Sequence, residues 1–308
     1  MGFFILYDYI LRSFPFSVVL IVLFLTGCST LPTSQAPQMG NLLLAEPAPM
    51  NPRAQLAIAR YNYILDQAEI DDTERAELLY QRGTLYDSVG LVGLAQYDFT
   101  QALQLKPDMA EAYNSIGVQY TQQMEFIQAY EAFDSSLEIN PDYEFAFLNR
   151  GIALYYGGRP DLAKNDISTF LQQDQTDPYR AIWHYIVMRE IDPEQAMTSL
   201  KAQRKALDES NWAVSVVDFY LGKISENALL TSLLDGVASQ NELTDRLCEA
   251  YFYLGKYHSA RGERGIASNY FKLALSTNVF EYVEHRYARL ELERMRNLIP
   301  AANSEETQ

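Results

Sequence analysis

Residues 76–107 read AELLYQRGTLYDSVGLVGLAQYDFTQALQLKP, and residues 110–141 read AEAYNSIGVQYTQQMEFIQAYEAFDSSLEINP. Laid over one another, the two stretches repeat side-chain size at an interval of 34 residues. Leu79, Gly83, Tyr86, Ala95, Phe99, Ala102 and Pro107 in the first are answered by Tyr113, Gly117, Tyr120, Ala129, Phe133, Ser136 and Pro141 in the second. Self-similarity at such a period marks stacked helical hairpins, each too small to bury its apolar face alone. Gly83 and Gly117 fall in mid-helix, where glycine costs up to about 1 kcal/mol relative to alanine. That cost is tolerable where the missing side chain lets the paired helix approach. Ala95 and Ala129 are the small counterparts on the second helix, and Phe99 and Phe133 are placed to fill the seam. Pro107 and Pro141 stop the second helix and set the turn to the next hairpin.

A third unit follows with Phe147, Gly151, Leu154, Ala163, Ile167 and Phe170, its Pro178 arriving three residues late. A fourth comes much later: Tyr251, Gly255, His258, Ala267, Phe271 and Ala274. This is the tetratricopeptide pattern, and it predicts an all-α fold: a tetratricopeptide-repeat helical solenoid of stacked helix–turn–helix pairs with flanking helices. Repeats 1–3 occupy residues 71–178, divergent helical repeats 179–247 and the C-terminal repeat 248–280. Phe219-Tyr220-Leu221-Gly222 echoes Tyr253-Leu254-Gly255, so a decayed repeat is expected there. Residues 53–70 form an N-terminal helix with Leu56, Ala59, Tyr63 and Ile64 near one face. Residues 281–297 form a C-terminal helix, and 298–308 a polar tail expected to be disordered.

The amino end reads as an address. The apolar run 14–25 is 12 residues long. As a helix it reaches roughly 18 Å, too short for a bilayer core of about 30 Å but right for a signal peptide. It ends in Leu25-Thr26-Gly27-Cys28, a lipobox-like sequence. The small Gly27 admits a signal peptidase, and the Cys28 sulfur is the atom that carries lipid. Residues 1–27 are therefore expected to be a lipoprotein signal peptide, and 28–52 a lipidated cysteine followed by a flexible tether rich in proline. Leu42-Leu43-Leu44 is the stretch of the tether expected to dock. Ser29 after the cysteine implies, by resemblance to bacterial lipoproteins, the outer membrane with the body facing the periplasm. Two or more acyl chains give stable anchoring in the bilayer.

The formal net charge is −16, which excludes nucleic acid as a partner and an electrostatic grip on anionic lipid. With Cys28 consumed by lipid, Cys248 has no intramolecular partner, so neither a disulfide framework nor a thiolate zinc site is expected. No metal and no cofactor are expected.

His184, His258 and His285 are the chain's histidines. His258 falls at a repeat-packing position usually held by tyrosine, and no serine, cysteine or carboxylate pair falls at a spacing that completes a triad or acid–base pair. No catalytic residue is expected, and the protein is read as non-enzymatic. Gly83, Gly117, Gly151, Gly255, Ala95, Ala129, Ala163 and Ala267 are read as packing residues. The positions they leave free on the first helices line a concave surface: Tyr80, Thr84, Asp87, Asn114, Val118, Thr121, Asn149, Ile152, Tyr155, Tyr156, Phe252 and Lys256. Aromatics beside amides suit an extended peptide or a partner helix. The two-lysine arrangement that other such repeats use to hold a peptide carboxylate is absent, since Tyr80 and Phe145 occupy its places.

AELLYQRGTLYDSVGL (76–91), YEAFDSSLEINPDYEFAFLNRGIALYYGGR (130–159), DFYLGKISE (218–226), YFYLGKY (251–257) and VEHRYARLEL (283–292) carry a more specific likeness. Across residues 53–295 the chain resembles the NlpI family of enterobacterial outer-membrane lipoproteins. The resemblance implies a homodimeric periplasmic adaptor, with the helix over 53–66 contributing to the dimer. It also implies two kinds of partner: a carboxy-terminal processing protease and murein endopeptidases, the latter presented for degradation. A scaffold for outer-membrane or multi-enzyme murein assemblies, without proteolysis, is the alternative.

Overall fold

The computed structural model describes residues 43–297 except 45 and 50, so the expectations for residues 1–42 and 298–308, Cys28 among them, lie outside the described residues. The described chain is all helix and turn. Its helices are α1 (Pro52–Gln67), α2 (Asp72–Ser88), α3 (Val92–Leu105), α4 (Ala110–Gln122), α5 (Phe126–Ile139), α6 (Glu144–Tyr156), α7 (Pro160–Gln173), α8 (Pro178–Arg189), α9 (Pro193–Gln203), α10 (Val214–Tyr220), α11 (Glu226–Ser232), α12 (Gln240–Ala260), α13 (Arg264–Ser276) and α14 (Val283–Asn297). They pack as consecutive antiparallel pairs, α2 with α3, α4 with α5, α6 with α7, α8 with α9 and α12 with α13. None of these helices is long and apolar enough to cross a membrane.

The repeat glycines are where the second helix is pressed closest to the first. A Cβ on Gly83, Gly117 or Gly255 would lie 2.6–2.7 Å from the ring of Phe99, Phe133 or Phe271, and one on Gly151 would lie 2.7 Å from Ile167. Each contact joins residues 16 apart within one hairpin, so these side chains fill the inside of the pair. Phe99 also reaches Ile116 and Ala132 of the next hairpin. Ala95, Ala129, Ala163 and Ala267 are fully buried beside them. Gly117→Ala is expected to destabilise by about 1–3 kcal/mol, because the added Cβ would force the fully buried Phe133 ring to shift. Gly265→Ala, where nothing lies within 4 Å, is expected to stabilise by about 0.4–1 kcal/mol. Urea denaturation of both variants checks the contrast.

An ion pair recurs one residue before these contacts. Arg82 donates to both carboxylate oxygens of Asp98 at 2.7 Å, and Arg150 does so to Asp166 at 2.7 and 2.8 Å. In the hairpin between them the corresponding residues are Ile116 and Ala132, which share one apolar cluster.

One helix face is left open, and two expectations need correction. The face of α1 carrying Leu56 and Tyr63 is open, 73% and 69% exposed, while Ala54 is its buried residue and Leu65 meets the first hairpin. Leu43, Glu46 and Ala48 are tied to the C-terminal repeat, so these points of the expected tether are held: the Tyr251 hydroxyl donates to the Leu43 carbonyl, Ala48 N–H to Thr277 O at 2.7 Å and the Thr244 hydroxyl to Glu46 O at 3.2 Å. Leu44 itself stays exposed. Finally, α12 begins at Gln240, eight residues before the expected repeat boundary, and Gly222 stands just past the end of α10 at φ +69°. The echo of Tyr253-Leu254-Gly255 therefore falls at a helix end, where glycine serves the left-handed turn, and not at a helix–helix contact.

Candidate functional site

The first helices of the hairpins, α2, α4, α6, α8 and α12, present a common face, and α14 lies along it. Side chains fix α14 there at several points. Arg286 donates to Asp87 at 2.6 Å. Tyr253 donates to Glu284 at 2.7 Å, and Tyr156 donates to Glu291 at 3.0 Å. Lys256 bridges Glu291 and the Tyr155 hydroxyl, 2.7 Å away. Tyr287 of α14 packs its ring 5.4 Å from that of Tyr156 and 6.5 Å from Trp183. Burial pulls the Lys256 ammonium down, but Glu291 and Tyr155 outweigh it and hold its pKa above the ordinary range.

The predicted groove is thereby divided. Thr121, Ile152 and Phe252 are fully buried, and Tyr156 nearly so. All four line neither remaining recess, because the chain's own packing covers the face they stand on. Tyr80, Thr84, Asp87, Asn114, Val118 and Asn149 do come together, around a recess of about 320 Å³ closed on its far side by Val283, Arg286 and Tyr287. Tyr155 and Lys256 belong to a second recess at the other end of α14, of about 420 Å³.

In the first recess, the Asn149 amide donates to Asn114 at 3.0 Å, which fixes both side chains across neighbouring hairpins. Tyr143 and Phe145 complete the wall, Phe145 being 48% exposed. Burial pushes the Tyr143 phenol up to about 12. Tyr287 is 1% exposed, and its hydroxyl has no hydrogen-bond partner among the described residues. Phe145 and Asn149, four residues apart, share one face of α6, while Tyr143 joins them from the cap position before the helix, where helical spacing gives no signal. Arg286 and Tyr287 carried no local signal, since only the docking of α14 brings them there.

The histidines each have a packing role. His258 lies between Glu226 and Glu263, at 2.9 and 2.5 Å, and stacks on Tyr270. Burial lowers its pKa, but the two carboxylates outweigh that and raise it. His285 donates its Nε2–H to Leu275 O at 3.1 Å, and burial lowers its pKa to about 4. His184 stands 3.1 Å from the Gln203 amide, its pKa lowered by burial. Cys248 is buried, and burial raises its thiol pKa well above the usual range. Among the described residues no three metal-ligating side chains gather.

Behind α14 two carboxyl groups are buried together. Trp212 donates to Glu249 at 2.9 Å, and Glu284 accepts from Tyr253. Burial, then the nearby Glu284, raises the Glu249 pKa well above the carboxylate range; burial raises Glu284 too. A raised carboxyl contributes stability that is complete below its unfolded pKa and is lost as pH rises through the folded one. Glu249→Gln keeps an acceptor for Trp212 without the charge. Its stability relative to the parent is expected to increase between pH 5 and pH 8, as read by urea midpoints at the two values.

No family model matches the chain. Solved structures with a related course include YrrB, described as a tetratricopeptide-repeat protein with an unusual peptide-binding site: 14% identity, 76% of this chain and 97% of that one covered, TM-score 0.42. PilF of Pseudomonas aeruginosa is 16% identical over 71% of this chain and 99% of its own, at 0.42. A tetratricopeptide-repeat protein of Parabacteroides merdae is 17% identical over 78% and 98%, at 0.47. With likenesses this distant, the assignment is carried by the chain's own geometry. Paired helices at a 34-residue interval, closed by glycine–aromatic contacts within each hairpin, make the described residues an all-α tetratricopeptide-repeat fold.

Proposed function

We propose that this protein is an outer-membrane-anchored periplasmic adaptor without catalysis of its own. It binds a carboxy-terminal processing protease and murein endopeptidases, promotes degradation of the endopeptidase, and so controls peptidoglycan remodelling. The observation that carries the binding role is the recess around Asn114, Asn149, Tyr80, Tyr143 and Phe145. It offers fixed amides for a peptide backbone and aromatic surface for side chains. The choice of partners rests on the resemblance of residues 76–91, 130–159, 251–257 and 283–292 to the NlpI family. The anchor rests on the Leu25–Cys28 sequence. Holding two partners on one body raises their effective mutual concentration to roughly millimolar. Endopeptidase and protease incubated with and without the protein test this: faster loss of the endopeptidase with it is expected, and equal rates refute the adaptor role.

A second reading, a scaffold for outer-membrane or murein assemblies without proteolysis, draws on Leu94, Tyr97, Ile127 and Leu162, which stand exposed on or beside the second helices. Pull-downs that retrieve assembly proteins and no protease favour it. In either case the open Leu56–Tyr63 face of α1 suits a homodimer contact. L56E/Y63E is expected to turn a dimer into a monomer by sedimentation while leaving the melting temperature within a few degrees.

A further inference from the structure

The recess at the far end of α14 has a different chemistry from the one above. Its volume of about 420 Å³ falls in the ligand-site range of about 300–1,000 Å³. Its walls bring Arg189 from α8, Lys256 from α12 and Arg294 from α14 to one hollow, in a chain whose formal charge is −16. Two acids also line it, Glu190 and Glu291. Glu190 is exposed at the rim, and Glu291 is already neutralised by Lys256. Neither arginine is engaged by a close carboxylate. Arg294 lies 4.0 Å from Glu291 and 5.1 Å over the Tyr156 ring. Arg189 donates one N–H to the Ala260 carbonyl at 2.7 Å. Tyr185, Ile186, Tyr220 and Met295 supply apolar wall beside them.

Two half-engaged guanidinium groups over an apolar wall match a carboxylate attached to a small apolar residue, since the planar fork of arginine pairs with both carboxylate oxygens. We propose that this recess holds the terminal carboxylate of a partner's peptide chain, with Arg189 and Arg294 as its binding residues and Lys256, tied to Glu291, keeping the floor in place. The inference deepens the protein-binding reading and rests on it. It puts carboxylate recognition on α8 and α14, away from the positions where Tyr80 and Phe145 replace lysines.

The test uses the whole protein and three probes: acetyl-Ser-Leu-Leu-Ala with a free carboxyl, its C-terminal amide, and acetyl-Ser-Leu-Asp-Ala-amide, whose only carboxylate is a side chain. Arginine Nε–Hε NMR signals report the site directly. The free acid is expected to move the Arg189 and Arg294 signals and to bind about tenfold tighter than its amide, the effect of one charge-assisted hydrogen-bonded pair. Arg294→Gln should abolish that preference, and Arg294→Lys should retain part of it. Equal binding of acid and amide overturns the proposal, as does a preference that survives Arg294→Gln. Binding of the aspartate peptide as tight as the free acid overturns the assignment to a chain terminus. Should partners still be retained by the intact protein while no acid preference is seen, the adaptor reading stands and this inference alone fails.

Discussion

Arg82→Ala is expected to cost about 3–5 kcal/mol of folding stability, because it leaves Asp98 charged, 1% exposed and without its partner inside the first hairpin. The chain contains its own control. One period later the same two places are held by Ile116 and Ala132, which pack without charge. The double variant R82I/D98A copies that solution and is expected to recover most of the loss, since exchanging a buried pair for fitted apolar groups is often near neutral. Urea denaturation of the two single variants and the double one gives the coupling energy. An Arg82→Ala protein as stable as the parent would show that Asp98 does not depend on this arginine.

Lys256→Met is expected to cost a similar amount, about 3–5 kcal/mol, for a reason that also concerns function. Glu291 is buried on α14, and without the ammonium it keeps only the Tyr156 hydroxyl at 3.0 Å and the distant Arg294. The penalty falls on the helix that covers the concave face. Amide exchange over residues 283–297 is therefore expected to accelerate more than exchange over α2 or α4. K256M/E291L removes both charges and should restore slow exchange. Uniform acceleration along the chain would mean that α14 does not open separately from the rest.

Where a constraint is local, the sequence states it. The glycine–aromatic contacts join residues 16 apart, so four hairpins were legible from side-chain size alone. The α8–α9 hairpin falls in the stretch that reads as divergent repeats because its pattern is broken twice. Tyr185 stands where Gly83, Gly117 and Gly151 would place a glycine, and the buried Ala196 and Leu200 each come one residue before the places counted from Ala163 and Ile167. The site was half legible. Six groove residues converge as their helix positions require, but Thr121, Ile152, Tyr156 and Phe252 are covered, and their cover comes from far along the chain. Lys256 counts among the groove residues by position, but nothing local marks Glu291 as its partner, since a buried ion pair has no periodicity to betray it. In α1, Leu56, Ala59 and Tyr63 formed a coherent stripe, yet a stripe does not say which neighbour it meets, and the first hairpin takes the other side.

Repeat arrays ordinarily behave as chains of nearest neighbours, able to fray from either end one unit at a time. Here Arg286 clasps Asp87 across 199 residues of chain, Thr244 meets Glu46 across 198, and Glu291 meets Tyr156 across 135. Such ties make the two termini of the array depend on one another, so melting should be a single cooperative step. They also put a loop-closure delay into folding, because the earliest hairpins to emerge during synthesis must wait for the last helix before the structure is complete.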